Sequence, residues 1–414
     1  MMADNFLSRS CVVNGTCNGS GSIVVLWMVA KFSQKISGVE YVERINENLL
    51  NVKAKSLFPL YEDLRAADCI VCGGSGRSLH SLNIAMSQIA MMNKPKVVIT
   101  RDDVGFPGRG MLDAASQLEK RHKKIVLLIN SGSGESDDPS HLVKELEKYL
   151  EATNSKKFTM GLITSNPNSS IAKIVQRHGH VVEVEGRGKQ QLPSPDNYSQ
   201  TGIMGDLFEL GSLFLLQMIT EAIAEDSPVE RVLELIAEEA PVLRKITENA
   251  VNSKATQTAL NILERRSDVF LGGRGTAEEV AKMTAVRLFH IKKFLGDDVY
   301  IARGVNTPHP RAGDLEILIS YSGRTKPVVG WCNRFRGLGG TVLSIVGRKE
   351  SNLEKNSDLM ILIEETVEHG KPRRFYMRAA YVLSCLPILL TESLSLKGLI
   401  LPEYIFKWYH SVIE

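Results

Sequence analysis

The residues best suited to chemistry are glycines and serines gathered in four short turns. Gly73-Gly-Ser-Gly-Arg-Ser78 and Ser131-Gly-Ser-Gly-Glu-Ser136 lie in the first half of the chain, and Gly272-Gly-Arg-Gly-Thr-Ala277 and Ser320-Tyr-Ser-Gly-Arg-Thr325 lie in the second. Glycine lets backbone N–H groups come close to an anion, and serine or threonine hydroxyls donate hydrogen bonds to it. A helix that starts directly after such a turn adds the positive end of its dipole. Phosphate is the guest this combination suits. A single Gly-rich turn is weak ground, since many only join a strand tightly to a helix. Two types of turn, each present twice and in the same order, carry more weight.

Short apolar runs lead into these turns and must position them. Ile125–Asn130 runs into Ser131, as Glu316–Ile319 runs into Ser320; Val269–Leu271 ends in the Gly272 turn. A third pair follows, because Gly161–Thr164 precedes Ser169-Ser170 just as Val342–Val346 precedes Ser351-Asn352. The shared order marks the halves as copies of one unit. β-Branched runs alternate with helical stretches such as His141–Glu151 and Glu278–Phe294, which spells repeated β-α units. The expected fold is therefore α/β, with two tandem doubly wound parallel-sheet domains related by internal duplication. The boundaries read as a leader over 1–40, a first domain over 41–225 and a second over 226–414. Residues 227–266 read as helix nearly throughout, with Pro228 and Pro241 marking starts. In open parallel sheets ligands settle beyond the carboxyl ends of the strands, where these turns fall.

Bulk properties narrow the function. The chain has 414 residues, too many for one ordinary core, with 43% hydrophobic residues, 23% charged residues and a formal net charge of +3. That balance belongs to an ordinary globular protein and gives no reason to expect nucleic acid as a partner. Cys11, Cys17, Cys69, Cys72, Cys332 and Cys385 are too sparse for a disulfide framework and lack zinc-site spacing, which fits a reducing compartment. No apolar run reaches the ~18 residues of a membrane span, so the expectation is a cytoplasmic protein without a membrane partner. The apolar stretch Ile23–Ala30 reads as part of a poorly ordered leader, or as a sign that Met28 is the true start. Asp102-Asp103 and Asp137-Asp138 lack the converging oxygens of a hard-metal site, and there is no Gly-Lys-Ser/Thr phosphate loop. No metal and no cofactor are expected.

The Ser131–Ser136 and Ser320–Thr325 loops resemble the Ser-x-Ser-Gly-x-Thr/Ser motif of the sugar isomerase (SIS) domain family, whose members bind phosphosugars. The resemblance implies SIS-type, flavodoxin-like domains and covers nearly everything from about residue 40 to about 395. Within the family the motifs are most similar to the 6-phospho-3-hexuloisomerases. Met204–Leu215 is similar to their late helix with Gly-x-x-Phe-Glu, and Val280–His290 to their Ala-Met-Arg-Leu-Met-His helix. By this resemblance Glu209 and His290 are the catalytic candidates. Gly76, Arg77, Ser78, Ser131, Ser133, Ser136, Ser320, Ser322 and Thr325 are the substrate-binding ones. Isomerisation through an enediol needs a group that carries a proton between neighbouring carbons and a partner for the oxygens, tasks that suit Glu and His.

The halves keep these residues unequally. Arg378 stands where a second Glu209 would be, Ser81–Met92 has no counterpart of His290, and Ala277 replaces the serine of the first turn. The expectation is one working site, mainly in the first half, with His290 reaching in across a pseudo-twofold interface. A phosphorylated sugar is the expected partner; further pairing into a homodimer stays open. The alternative function is a non-catalytic regulator that binds a sugar phosphate. Met92–Ile125 is also longer than its equivalent Phe294–Glu316, and its Asp102–Gly110 portion suits a flap over the ligand, with a solvated loop as the default reading.

Overall fold

The computed structural model describes residues 39–92, 94–186, 203, 206–303, 307–367, 370–402 and 405. The expected leader, save its last two residues, lies outside them, as do Met204 and Gly205 of the late-helix motif. The first half runs α1 (Glu40–Leu50), α2 (Ala54–Ala66), β1 (Cys69–Gly74), α3 (Gly76–Ile89), β2 (Val97–Thr100), α4 (Met111–Arg121), β3 (Ile125–Asn130), α5 (Asp137–Thr153), β4 (Phe158–Thr164), α6 (Ser170–His178), β5 (Gly179–Glu183) and α7 (Asp206–Ala224). The second runs α8 (Glu230–Val251), α9 (Lys254–Leu263), β6 (Val269–Gly272), α10 (Thr276–Phe294), β7 (Val299–Ile301), β8 (Leu315–Ser320), α11 (Lys326–Gly337), β9 (Thr341–Val346), α12 (Asn352–Asn356), β10 (Leu359–Leu362) and α13 (Phe375–Leu396).

Each half builds a five-stranded sheet, ordered β2-β1-β3-β4-β5 in the first and β10-β9-β8-β6-β7 in the second. Read from its other edge, the second order repeats the first strand for strand. Every pairing is parallel. The central strands β3 and β8 are buried along their whole length; β3 is apolar up to Asn130, as a strand covered on both faces must be, whereas β8 carries Glu316 among its apolar residues. The order 2-1-3-4-5 is the flavodoxin-like doubly wound arrangement, and its switch point lies between the first and third strands. Gly74 pairs with Asn130 across that point, so the first turn and the serine loop emerge side by side.

The serine loops are near-identical in detail. Gly134 N donates to Ser131 Oγ at 3.1 Å and Glu135 N to Ser133 Oγ at 3.2 Å; Gly323 N donates to Ser320 Oγ and Arg324 N to Ser322 Oγ, both at 3.2 Å. Gly134 and Gly323 have φ of 66° and 57°, the left-handed region that glycine alone enters freely. A Cβ at either would collide with the hydroxyl of Ser169 or Ser351, the residues that cap α6 and α12. This is why the third element of the sequence repeat, a serine after β4 and after β9, recurs with the loops.

The halves meet through helices. α3 packs on α7, α10 on α13, and α3 and α10 on each other. α7 and α13 are buried almost all round, which explains their unbroken apolarity. They are long and apolar enough to span a membrane by length and composition, but 89% and 78% of their apolar windows are buried inside the protein.

Two expectations need correction. Pro241 starts no helix; it lies inside α8, and the helical stretch breaks instead at Ser253, whose hydroxyl accepts from Thr256 N to begin α9. The extra chain between β2 and β3 is more than a flap, because it folds into α4 and buries Phe106 in the first core beside Met111 and Leu118. Only its start, Asp102–Val104, borders a cleft.

Gly323→Ala should destabilise the protein by about 1–3 kcal/mol, combining left-handed strain with the collision at Ser351. A lowered denaturant midpoint at unchanged slope is the expected reading.

Candidate functional site

In the first half, the turn, the loop and the late helix are tied together beneath the switch point. Asn130, fully buried at the end of β3, donates through Nδ2 to Ser78 O at 2.9 Å and to Ser212 Oγ on α7 at 3.0 Å. Ser212 Oγ donates on to Glu209 O at 3.1 Å, and Ser81 Oγ of α3 reaches the same carbonyl at 2.8 Å. A Cβ on Gly132 would meet the ring of Phe208, so the loop lies directly against α7. Gly76 is exposed, has φ of 51° and has nothing within 4 Å of a would-be Cβ, leaving its side of the turn open. Ser131 is buried, whereas Ser78, Ser133 and Ser136 are half-buried; Ser131 Oγ and Ser136 Oγ lie 3.5 Å apart. In the second half Ser320 is likewise buried beneath half-buried Ser322 and Thr325, with Ser320 Oγ 3.2 Å from Thr325 Oγ1.

Glu209 sits at the inter-half contact in a cluster of four charges. Arg77 Nη1 lies 2.7 Å from Asp206 Oδ1, and its Nε is 2.9 Å from Glu209 Oε2. From the second half, Arg287 on α10 places Nη2 2.9 Å from the same Oε2 and Nε 3.3 Å from Asp206 Oδ1. Both arginines thus engage one oxygen of Glu209, and among the described residues no partner occupies Oε1. Two guanidiniums offset the burial of two carboxyl groups in this cluster.

This geometry changes two sequence-based expectations. Arg77, open by sequence to either a ligand or a carboxylate, turns inward: its side chain is 1% exposed and engages Asp206, Glu209 and, at 3.2 Å, Ser384 Oγ of α13. The residue that reaches Glu209 from the other half is Arg287, one helical turn before His290. His290 is half-buried and makes no hydrogen bond with Glu209; burial, with the Arg287 charge adding to it, lowers its pKa below the ordinary 6.5. Asp206 and Arg287 lay inside the quoted motif stretches but were not singled out. Their signal was an acid three residues before Glu209 and a base three residues before His290, spacings that share a helix face.

The second half arranges different partners at the matching places. Arg378, in register with Glu209, forms a two-pronged pair with Glu239 of α8 at 2.6 and 2.8 Å, and Arg374 bridges Glu239 and Glu221 at 2.8 and 2.7 Å. Gln88 stands on α3 where Arg287 stands on α10, and it bonds Gln217 at 2.7 Å and Arg373 N at 2.6 Å.

Sequence reading also missed a cleft of about 870 Å³ between α3, α10 and the end of β2. His80 Nδ1 meets Glu279 Oε2 there at 2.9 Å, joined by Asn83 at 3.1 Å and by Lys282 on Oε1 at 2.8 Å. Burial alone would raise the Glu279 carboxyl, but hydrogen bonds from His80, Lys282 and Asn83 outweigh it and hold its pKa at about 2. Cys69, Cys72, Cys332 and Cys385 are free and buried, and burial raises all four thiols, which suits packing rather than redox chemistry.

Comparison with known proteins adds the following. The SIS domain family profile matches residues 262–385. An uncharacterised protein of Methanothermobacter thermautotrophicus is 32% identical over 140 residues, 32% of this chain and 68% of that one. The 3-hexulose-6-phosphate isomerase of Bacillus subtilis is 34% identical over 110 residues, 27% of this chain and 57% of that protein. Among solved structures, the tagatose-6-phosphate ketose/aldose isomerase of Escherichia coli shares the fold at a TM-score of 0.54, with 11% identity over 95% of this chain and 100% of that one.

Removing one guanidinium from the cluster, as in Arg287→Met, should cost about 3–5 kcal/mol by leaving a buried carboxylate poorly compensated. NMR titration should place the His290 midpoint below 6.5 in the native protein and move it upward in a folded Arg287→Lys→Met series.

Proposed function

The chain belongs to the SIS-domain family, and on that premise we propose that it binds a phosphorylated sugar and isomerises it at one site centred on its first half. The position of Glu209 carries this reading. Its carboxylate is pinned through Oε2 by arginines of both halves, its Oε1 is unclaimed, and its helix touches the serine loop beside the switch point. Arg378 at the matching place in the second half is a cation and cannot serve as a base.

In this scheme Ser131, Ser133 and Ser136 and the first turn of α5 hold the phosphoryl group, while Gly76 and Ser78 line the opposite side. Arg77 and Arg287 are positioning residues that hold Glu209 through Oε2 and aim it. Glu209 takes a proton from carbon through Oε1 and returns it to the neighbouring carbon, giving the enediol and then the isomer. His290, kept neutral by burial and Arg287, donates a hydrogen bond to a sugar oxygen once the ligand draws it in. Ser320, Ser322 and Thr325 form a second phosphate cradle without a base.

A second reading, a sugar-phosphate-binding regulator, is favoured by one observation: the Glu209 carboxylate is tied into a buried ion cluster of the kind that stabilises folds. A thermal-shift panel of pentose and hexose phosphates, followed by NMR in deuterated water, separates the two. The isomerase reading expects solvent deuterium at carbon in the stabilising ligand, with turnover reduced by about 10²–10⁴ in Glu209→Gln and also reduced in His290→Ala. Stabilisation without exchange establishes the regulator instead, and full turnover in both variants removes their catalytic roles.

A further inference from the structure

The duplicated halves differ most where the second lacks a helix. In the first half, Leu127 on β3 is buried beneath Phe106 and α4, whose Met111, Ala114, Ala115 and Leu118 join Leu142 and Leu146 in one core. Leu127 pairs with Val71 of β1, and the matching pair in the second half is Glu316 with Phe270. Among the described residues no helix corresponds to α4 there, and the uncovered face opens as a pocket of about 370 Å³. Aromatic and apolar side chains wall it, chiefly Phe270, Trp331, Phe335 and Leu338, with Pro308 and Pro310 at the rim.

Its floor holds a carboxyl group that the fold does not require. Glu316 is 2% exposed, and among the described residues no hydrogen bond or ion pair reaches it and its buried Oε2 has no partner. Burial, only partly countered by Arg334, raises its pKa to about 8. Among the described residues, the charged or titratable groups around the pocket are Arg334 and Cys332 on α11, Tyr300 on β7 against Phe270, and Arg303 and His309 on the segment after β7; the residues of β6 and β9 paired with Glu316 are Phe270 and Val342. Arg334 is exposed and forms no ion pair with Glu316, while Arg303 is already held by Glu278 at 2.8 Å. An unpartnered buried carboxyl costs stability wherever it stands, and the leucine at the same place in the first half packs well.

We propose that this pocket is a binding site for a compact organic cation, an apolar body bearing an ammonium or amidinium group that pairs with Glu316 between Trp331, Phe270 and Phe335. The carboxylate supplies the charge partner and the aromatic faces attract the cation and bury the body. The volume lies within the range of small-molecule sites. Ser320 is four residues further along β8, so the pocket stands about 13 Å from the serine loop and is separate from it. Helix α11 borders both, since Thr325 caps it and Trp331, Arg334 and Phe335 face the pocket.

Three probes of one shape and different charge test this: benzamidinium, neutral benzamide and benzoate, titrated by calorimetry into the full chain near pH 7. The expected result is saturable binding of benzamidinium at least tenfold tighter than benzamide, no binding of benzoate, and release of a proton as Glu316 ionises. Glu316→Gln should abolish the preference for benzamidinium and the proton release. Glu316→Leu, which installs the first-half residue, should do the same while folding at least as stably. The proposal is overturned if benzamidinium fails to saturate by about 10 mM, or binds Glu316→Gln as well as the native chain, or binds no better than benzamide. Any of these leaves the phosphosugar reading untouched, because that site shares none of these residues.

Discussion

Two acids, Asp206 and Glu209, sit where almost no water reaches, and two arginines are arranged around them as partners. Arg77 comes from the helix after the first strand, Arg287 from the matching region of the other half, and both converge on the same pair of acids. A buried ion pair is costly to form and more costly to break, so its geometry tolerates little variation. That constraint locks α3, α7 and α10 together and fixes the orientation of the two sheets' carboxyl ends about the shared interface. The polar anchors Asn130, Ser81 and Ser212 extend the same lock to the serine loop and the first turn.

Duplication explains why a single cluster suffices. The second half keeps the strand order, both glycine conformations and the serine cap after the fourth strand, yet has Arg378 in place of the acid of the late helix and turns its charge network toward Glu239 and Glu221. Each of the two matching positions satisfies its charge with partners of its own. Charge inversion at one position is then tolerated because a different acid, from α8, answers it. Among the described residues α4 has no counterpart in the second half, and a pocket opens on the face that α4 covers in the first.

Much of the fold was legible because local signals and tertiary demands agree. Apolar strands ending in glycine and serine, repeated in order, announce parallel sheets, and the serines after β4 and β9 recur because they pack against left-handed glycines of the loops. Pro241 misled because a proline signals a helix start only when no packed face carries the helix through it. The longer stretch before β3 read as a flap because Gly and Pro dominate its beginning, while Phe106 and the apolar face of α4 found a core that lies outside the window of any local pattern.

By itself the sequence determined the duplicated α/β architecture, the loops fit for phosphate and the inequality of the halves, since these rest on residue type and spacing along the chain. Tertiary structure alone decided which charges meet. Arg77 turns inward to the acids, Arg287 and not His290 meets Glu209, His80 finds Glu279 across the interface, and Glu316 stands alone in an apolar pocket. The physical reason is that a side chain's partners come from helices far apart in sequence. Burial then sets the strength of each charge interaction, and no spacing rule encodes burial.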